Sequence, residues 1–167
     1  MIYYISGGQR SGKSSYGQQM ALSLSEKPVY LATARHWDGD FEKRIERHQA
    51  DRDGRWENIE EEKELSQHDF TGKTVLVDCV TLWLTNYFVD TNNDVDTCLE
   101  QAKAEFDKLA NQQANFIIIS NEIGMGTHPH TEVGMKFTDL QGWMNQYIAQ
   151  KADEAWLMVS GIPLKLK

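Results

Sequence analysis

The chain has 167 residues, 40% hydrophobic and 25% charged, enough for one domain that closes over a core without disulfides or metals. Its 25 acidic against 17 basic groups give a formal charge of −8, which argues against a nucleic-acid surface, since that needs a basic patch to displace counterions. Cys79 and Cys98 are too few for a disulfide scaffold or a four-thiolate zinc site, and no apolar run approaches the ~20 residues that span a bilayer. With no basic, apolar leader in MIYYISGGQRSGKS, a cytoplasmic protein with reduced thiols is expected.

Taken in chain order, Ile2–Ser6 reads as a buried strand running into a glycine-rich turn. Tyr16, Met20 and Leu24 then recur at helical spacing, and Pro28 opens a second strand over Val29–Thr33. Phe41, Ile45 and His48 share one face of a short helix, whereas the polar stretch from Gln49 to Lys73 reads as irregular and exposed. Thr74–Asp78 is a third apolar run. Asp94 is placed to cap a helix whose stripe is Leu99, Ala102, Phe106 and Leu109. Phe116–Ser120 follows, then a helix with the stripe Phe137, Leu140, Met144 and Tyr147. Strands over Ala155–Ser160 and Ile162–Leu166, divided at Gly161, complete the chain. Continuous rather than alternating apolar runs between helices predict an α/β fold. It has a mostly parallel sheet covered by helices on both faces, in one domain over residues 1–167.

The segment Gly7-Gly8-Gln9-Arg10-Ser11-Gly12-Lys13-Ser14 fits GxxxxGK followed by Ser or Thr, between a strand and a helix. Glycines let successive backbone N–H groups turn inward toward phosphate oxygens, and the helix N-terminus adds partial positive charge there. Lys13 reaches the β- and γ-phosphates of a nucleoside triphosphate, and the Ser14 hydroxyl is placed for Mg2+. This is the phosphate loop of a three-layer, RecA-like P-loop NTPase fold. A second magnesium anchor is usually an acidic residue ending an apolar strand; Asp78 fits, with Glu122 as rival.

His48 lies near Arg44, Arg47 and Arg52, and cationic neighbours favour neutral imidazole, the form that can attack a phosphate. On residues alone, a solvated helix histidine is the preferred reading. His128 and His130 flank Pro129 without a third ligand and are set aside as a metal pair. Glu57, Glu60, Glu61, Glu62 and Glu64 read as a solvated acidic face, and the five tryptophans as core or interface.

In several ordered blocks the chain resembles the bifunctional adenosylcobinamide kinase / adenosylcobinamide-phosphate guanylyltransferase family of cobalamin biosynthesis. GGQRSGKS is similar to the family's GGxRSGKS, and Tyr30–Ala34 to its YIATA. Arg44–His48 resembles RIxxH, and Trp56 with Glu60 resembles the WxxxE that follows. Val77–Asn86 resembles LDCLTLWLTN, and Asn121–Gly126 resembles NEVGMG; Gly142, Asn145 and Gln146 fit GRxNQ. The resemblance implies that His48 attacks the α-phosphate of GTP and carries GMP. It implies that a γ-phosphoryl from ATP or GTP goes to the alcohol of adenosylcobinamide. It further implies that Ala32, Thr33, Ala34, Gln49, Ala50, Asp51, Arg52, Glu60 and Asp78 line the guanine nucleotide site, and that the protein is a homotrimer. Asp40-Phe41 replace the family's usual EM. Met135, Thr138 and Trp143 stand where many members carry arginines, none of them in the loop, at His48 or at Asp78. Two other readings are a P-loop kinase of a different alcohol and a GTPase-type binding protein. The GTPase reading lacks an NKxD-type segment at Ser120–Ile123.

Overall fold

The computed structural model describes residues 1–35 and 54–167. His48, Gln49, Ala50, Asp51 and Arg52, and the short helix expected around Phe41 and Ile45, lie outside the described residues. The strands are β1 (Ile2–Gly7), β2 (Val29–Ala32), β3 (Glu57–Glu60), β4 (Thr74–Asp78), β5 (Asn115–Ile119), β6 (Glu154–Val159) and β7 (Ile162–Lys165). The helices are α1 (Lys13–Leu24), α2 (Val80–Asp90), α3 (Val95–Ala110) and α4 (Glu132–Lys151).

The strands form one sheet in the order β3-β2-β4-β5-β1-β6-β7, parallel except for the antiparallel pair β6–β7. Alternation along each strand divides the core into two layers. Tyr3, Ile5, Tyr30, Leu76, Ile117, Ile119, Trp156 and Met158 face α1, which contributes Ala21 with Tyr16 and Met20 beside it. Their neighbours Ile2, Tyr4, Leu31, Val75, Val77, Phe116 and Ile118 face the other way, onto Trp83 and Leu84 of α2, Ala102 and Phe106 of α3, and Leu140 and Met144 of α4. Helices on both faces make three layers, as the continuous apolar runs predict. Truncating a side chain such as the fully buried Leu76 to alanine costs about 2–5 kcal/mol.

Two local expectations change, and one helix is added. The buried stripe of α1 is Lys13, Gly17 and Ala21, not one reaching Leu24, which is exposed. Gly17 allows this: a Cβ there would stand 2.9 Å from Leu76 Cδ1 and 3.1 Å from Ile119 Cδ1, so the helix rides directly on the sheet. Residues 80–90 form α2, a helix buried on several sides by Trp83, Leu84, Tyr87 and Phe88. The stretch read as irregular contains edge strand β3. Its acidic residues are not simply solvated: the Glu61 carboxylate accepts from the N–H groups of Lys63 and Glu64 and from the Gln67 amide, while Glu62 pairs with Arg35 at 2.6 Å.

Candidate functional site: the phosphate loop and the strand ends around it

All six parallel strands point their carboxyl ends to one edge, where ligands of open α/β sheets bind. There β1 runs straight into the glycine loop. Gly7 has φ of +154°, and a Cβ on it would lie 2.7 Å from both the Met158 carbonyl oxygen and Ser11 Oγ. Gly12, at φ +97°, sits at the cap position of α1 in the left-handed region that a side chain resists. The starts of α1 and α2 differ from those of α3 and α4. The latter are capped by Asp94, accepting from Thr97 N–H at 2.7 Å, and by Thr131, accepting from Gly134 N–H at 3.0 Å, with acidic residues in their first turns. Helix α1 has neither a side-chain cap nor an acidic first turn. Its N–H groups and positive dipole end are left for an anion from outside.

Lys13 is buried and folds back into this loop, its Nζ donating to the Gly8 carbonyl at 2.6 Å and reaching Ser11 Oγ at 3.5 Å. Desolvation lowers its pKa, partly offset by Cys79 and Asp78 nearby. A phosphate arriving at the loop offers the ammonium a charged acceptor in place of a carbonyl. Gln9 and Arg10 are exposed on the rim, Arg10 at φ +56°. Two contacts hold the loop from behind: Gly161 N–H donates to the Ser11 carbonyl at 2.9 Å, and Glu122 N–H donates to the Gly7 carbonyl at 3.0 Å.

Asp78 ends β4, half-buried, and its Oδ2 accepts from the Tyr30 hydroxyl at 2.7 Å. Ala32 pairs with Asp78 across the sheet, so the end of β2 lies beside it. Thr33 is fully buried, and Ala34 and Glu60 are more open to solvent, Glu60 at the end of β3. Ser14 sits in the first turn of α1. For magnesium, the donor set is one strand-end carboxylate and one hydroxyl. No cluster of three or more His, Cys, Asp or Glu occurs among the described residues. That suits Mg2+, which takes one or two carboxylates and completes its shell from phosphates and water. Glu122, the rival, has its backbone tied to the base of the loop.

Sequence reasoning assigned no role to the buried polar residues that fix this edge. Ser120 Oγ donates to Asn145 Oδ1 at 2.6 Å, Gln141 Nε2 donates to both, and Asn145 Nδ2 donates to the Asn121 carbonyl at 3.1 Å. The Asn121 amide in turn donates to Thr81 Oγ1 at 3.0 Å, which links α4, the end of β5 and the start of α2. Of the three positions at which the family resemblance leads to an expectation of arginine, Met135 and Trp143 are exposed on α4, and Thr138 is half-buried with its hydroxyl on the Gly134 carbonyl at 2.9 Å. His128 and His130 lie exposed on the loop before α4.

A mostly parallel sheet between two helix layers, with a bare helix N-terminus under GxxxxGKS, defines a P-loop nucleotide-binding protein. The family model for cobinamide kinase / cobinamide phosphate guanyltransferase matches residues 3–166, and the chain belongs to that family of transferases. It is 34% identical to the bifunctional adenosylcobalamin biosynthesis protein CobP of Pseudomonas aeruginosa, over 98% of this chain and 95% of that protein. It is 35% identical to the bifunctional adenosylcobalamin biosynthesis protein CobU of Escherichia coli, and 30% identical to that of Salmonella typhimurium, over the full length of each. Among solved structures, flagellar accessory protein FlaH of Methanocaldococcus jannaschii aligns with a TM-score of 0.47 at 12% identity, over 99% of this chain and 77% of that one. No described helix is long and apolar enough to cross a membrane.

Proposed function

We propose that this chain phosphorylates adenosylcobinamide with ATP or GTP, then transfers GMP from GTP to the product, giving adenosylcobinamide-GDP and pyrophosphate. The observation that carries the reading is the intact phosphate loop, with Lys13 turned into it beside Asp78, in a chain of this family. In the first step the loop N–H groups and Lys13 hold the triphosphate while the alcohol oxygen of adenosylcobinamide attacks the γ-phosphorus. The bond to the β-γ bridging oxygen breaks, the hydroxyl proton is released to water, and the nucleoside diphosphate leaves. Mg2+, when bound, would supply charge neutralisation on the phosphates, and Ser14 and Asp78 are the residues that would hold it.

In the second step a ring nitrogen of His48 attacks the α-phosphorus of GTP. An N–P bond forms, the bond to the α-β bridging oxygen breaks, and pyrophosphate departs. A phosphate oxygen of the corrinoid product then displaces the histidine, restoring the imidazole and closing the diphosphate. We place Gly7–Ser14, Ala32, the backbone of Thr33, Ala34, Gln49, Ala50, Asp51, Arg52 and Glu60 around the nucleotide. We place the enzyme in the cytoplasm as a homotrimer of single-domain chains. Incubation with Mg2+, GTP and adenosylcobinamide, read by mass spectrometry, tests the function. The phosphate and GDP derivatives are expected in succession; accumulation of the phosphate alone makes this a kinase, and hydrolysis of GTP without either product contradicts the reading.

A further inference from the structure

Thr33 belongs to the segment expected to line the nucleotide, yet its side chain is fully buried. Its Oγ1 donates to the Cys79 carbonyl at 2.7 Å and accepts from the Cys79 N–H at 2.9 Å. Its backbone N–H donates to the Asp78 carbonyl at 3.2 Å, and its carbonyl accepts from Asn86 Nδ2 at 2.8 Å. The same Asn86 amide donates to the Glu62 carbonyl at 2.9 Å, and Asn86 is itself 1% exposed. The β2–β4 ladder has its last register pair at Ala32 and Asp78, and beyond it the strand ends are joined by one backbone bond, Thr33 N–H to the Asp78 carbonyl, and by these side-chain bonds. The hydroxyl that binds both polar groups of Cys79 grips the residue directly after Asp78. From the other side the Tyr30 hydroxyl holds the Asp78 carboxylate. A hydroxyl that donates and accepts at once has one conservative replacement, serine; valine has the shape without the bonds.

We infer that Thr33 is a positioning residue: its buried hydroxyl fixes Asp78 for the divalent cation, and its side chain makes no contact with the nucleotide. The inference rests on the assignment of Asp78 as a magnesium ligand. It places Asn86 as the brace that keeps Thr33 there and joins the ends of β2 and β3 to α2. Loss of the hydroxyl leaves the Cys79 N–H buried without a partner and its carbonyl with the Trp83 N–H alone, so Asp78 keeps its bond from the Thr33 N–H but loses the grip on the residue that follows it.

The test uses Mn2+ as the probe, read by electron paramagnetic resonance on the full-length protein with a non-hydrolysable GTP analogue, alongside analogue affinity in EDTA. Thr33→Val is expected to weaken Mn2+ binding about tenfold, equivalent to about 1.4 kcal/mol. Thr33→Ser is expected to stay within about twofold, and metal-free analogue affinity to be unchanged in both. If the valine variant does not fold, Thr33→Ala removes the same hydroxyl with less bulk and carries the same expectation. Unchanged Mn2+ affinity with a lowered melting temperature would make Thr33 merely structural, and weakened metal-free affinity would make it a nucleotide contact; either overturns the proposal. Wild-type protein that binds no Mn2+ with the analogue removes the Asp78 assignment itself. Absence of corrinoid products with the Mn2+ pattern intact counts only against the proposed activity.

Discussion

The backbone N–H of Gly161 donates to the carbonyl of Ser11 at 2.9 Å, so the turn between β6 and β7 props the phosphate loop from the far end of the chain. The two segments touch closely: a Cβ added to Gly12 would stand 3.1 Å from Gly161 Cα. Gly12→Ala therefore has to place a side chain at φ +97° and also push the turn away. A loss of about 1–3 kcal/mol is expected, with weaker nucleotide binding. Gly8→Ala meets nothing within 4 Å and is expected to leave stability within about 0.5 kcal/mol of wild type. Urea unfolding of the two variants, with nucleotide titration of Gly12→Ala, checks both.

Lys13→Ala removes the ammonium that folds back into the loop onto the Gly8 carbonyl and Ser11 Oγ. Both proposed steps use a held triphosphate, so both rates are expected to fall together, by about a hundredfold or more. Melting temperature is expected to hold or rise, because a desolvated ammonium is deleted. A defect in one step alone, measured by separate phosphorylation and guanylylation assays, contradicts the shared use of the loop.

Tyr30→Phe deletes the 2.7 Å hydrogen bond to Asp78 Oδ2 while keeping the ring that packs edge-on to Trp56 at 5.8 Å. The magnesium concentration for half-maximal phosphorylation is expected to rise about threefold to tenfold, with little change in the rate at saturating metal. Asp78→Asn is expected to raise it further and to lower the Lys13 pKa again, since the carboxylate opposes that shift. A magnesium titration that is superimposable for wild type and both variants removes Asp78 from the metal.

Much of this edge was legible in residue order. The strand-loop-helix placement of Gly7–Ser14, the strand end at Asp78 and the Asp94 cap all follow from local rules, and each stands where those rules put it. Edge strand β3 escaped because Ile59 is the one apolar residue in Glu57–Glu60, a segment half open to solvent. Helix α2 escaped because residues buried on several sides show no polar face to set a period. The contacts of Thr33, Asn86 and Gly161 escaped for a different reason. Their partners lie tens of residues away in the chain, and a buried threonine with both hydroxyl functions satisfied reads in sequence like any strand residue.

Burial pushes the Cys79 and Cys98 thiols up to about 12, and both are shielded from solvent. Neither is expected to react with a thiol reagent at pH 8 in the folded protein, and both are expected to react after denaturation. Between pH 9 and about 12 the unfolded chain releases thiol protons that the folded chain keeps, so these groups make stability fall as pH rises through that window. Thiol counting with and without denaturant, and urea midpoints at pH 8 and 10, check the two statements.

The central claim is that a triphosphate held by Gly7–Ser14 presents its α-phosphate to His48. The direct measurement is incubation with Mg2+ and GTP labelled at the α-phosphate, followed by denaturation and counting of label on the polypeptide. The account predicts acid-labile, base-stable label on the wild type, none on His48→Ala, and almost none on Lys13→Ala. An unlabelled wild type, or a His48→Ala variant labelled as fully as wild type, contradicts it.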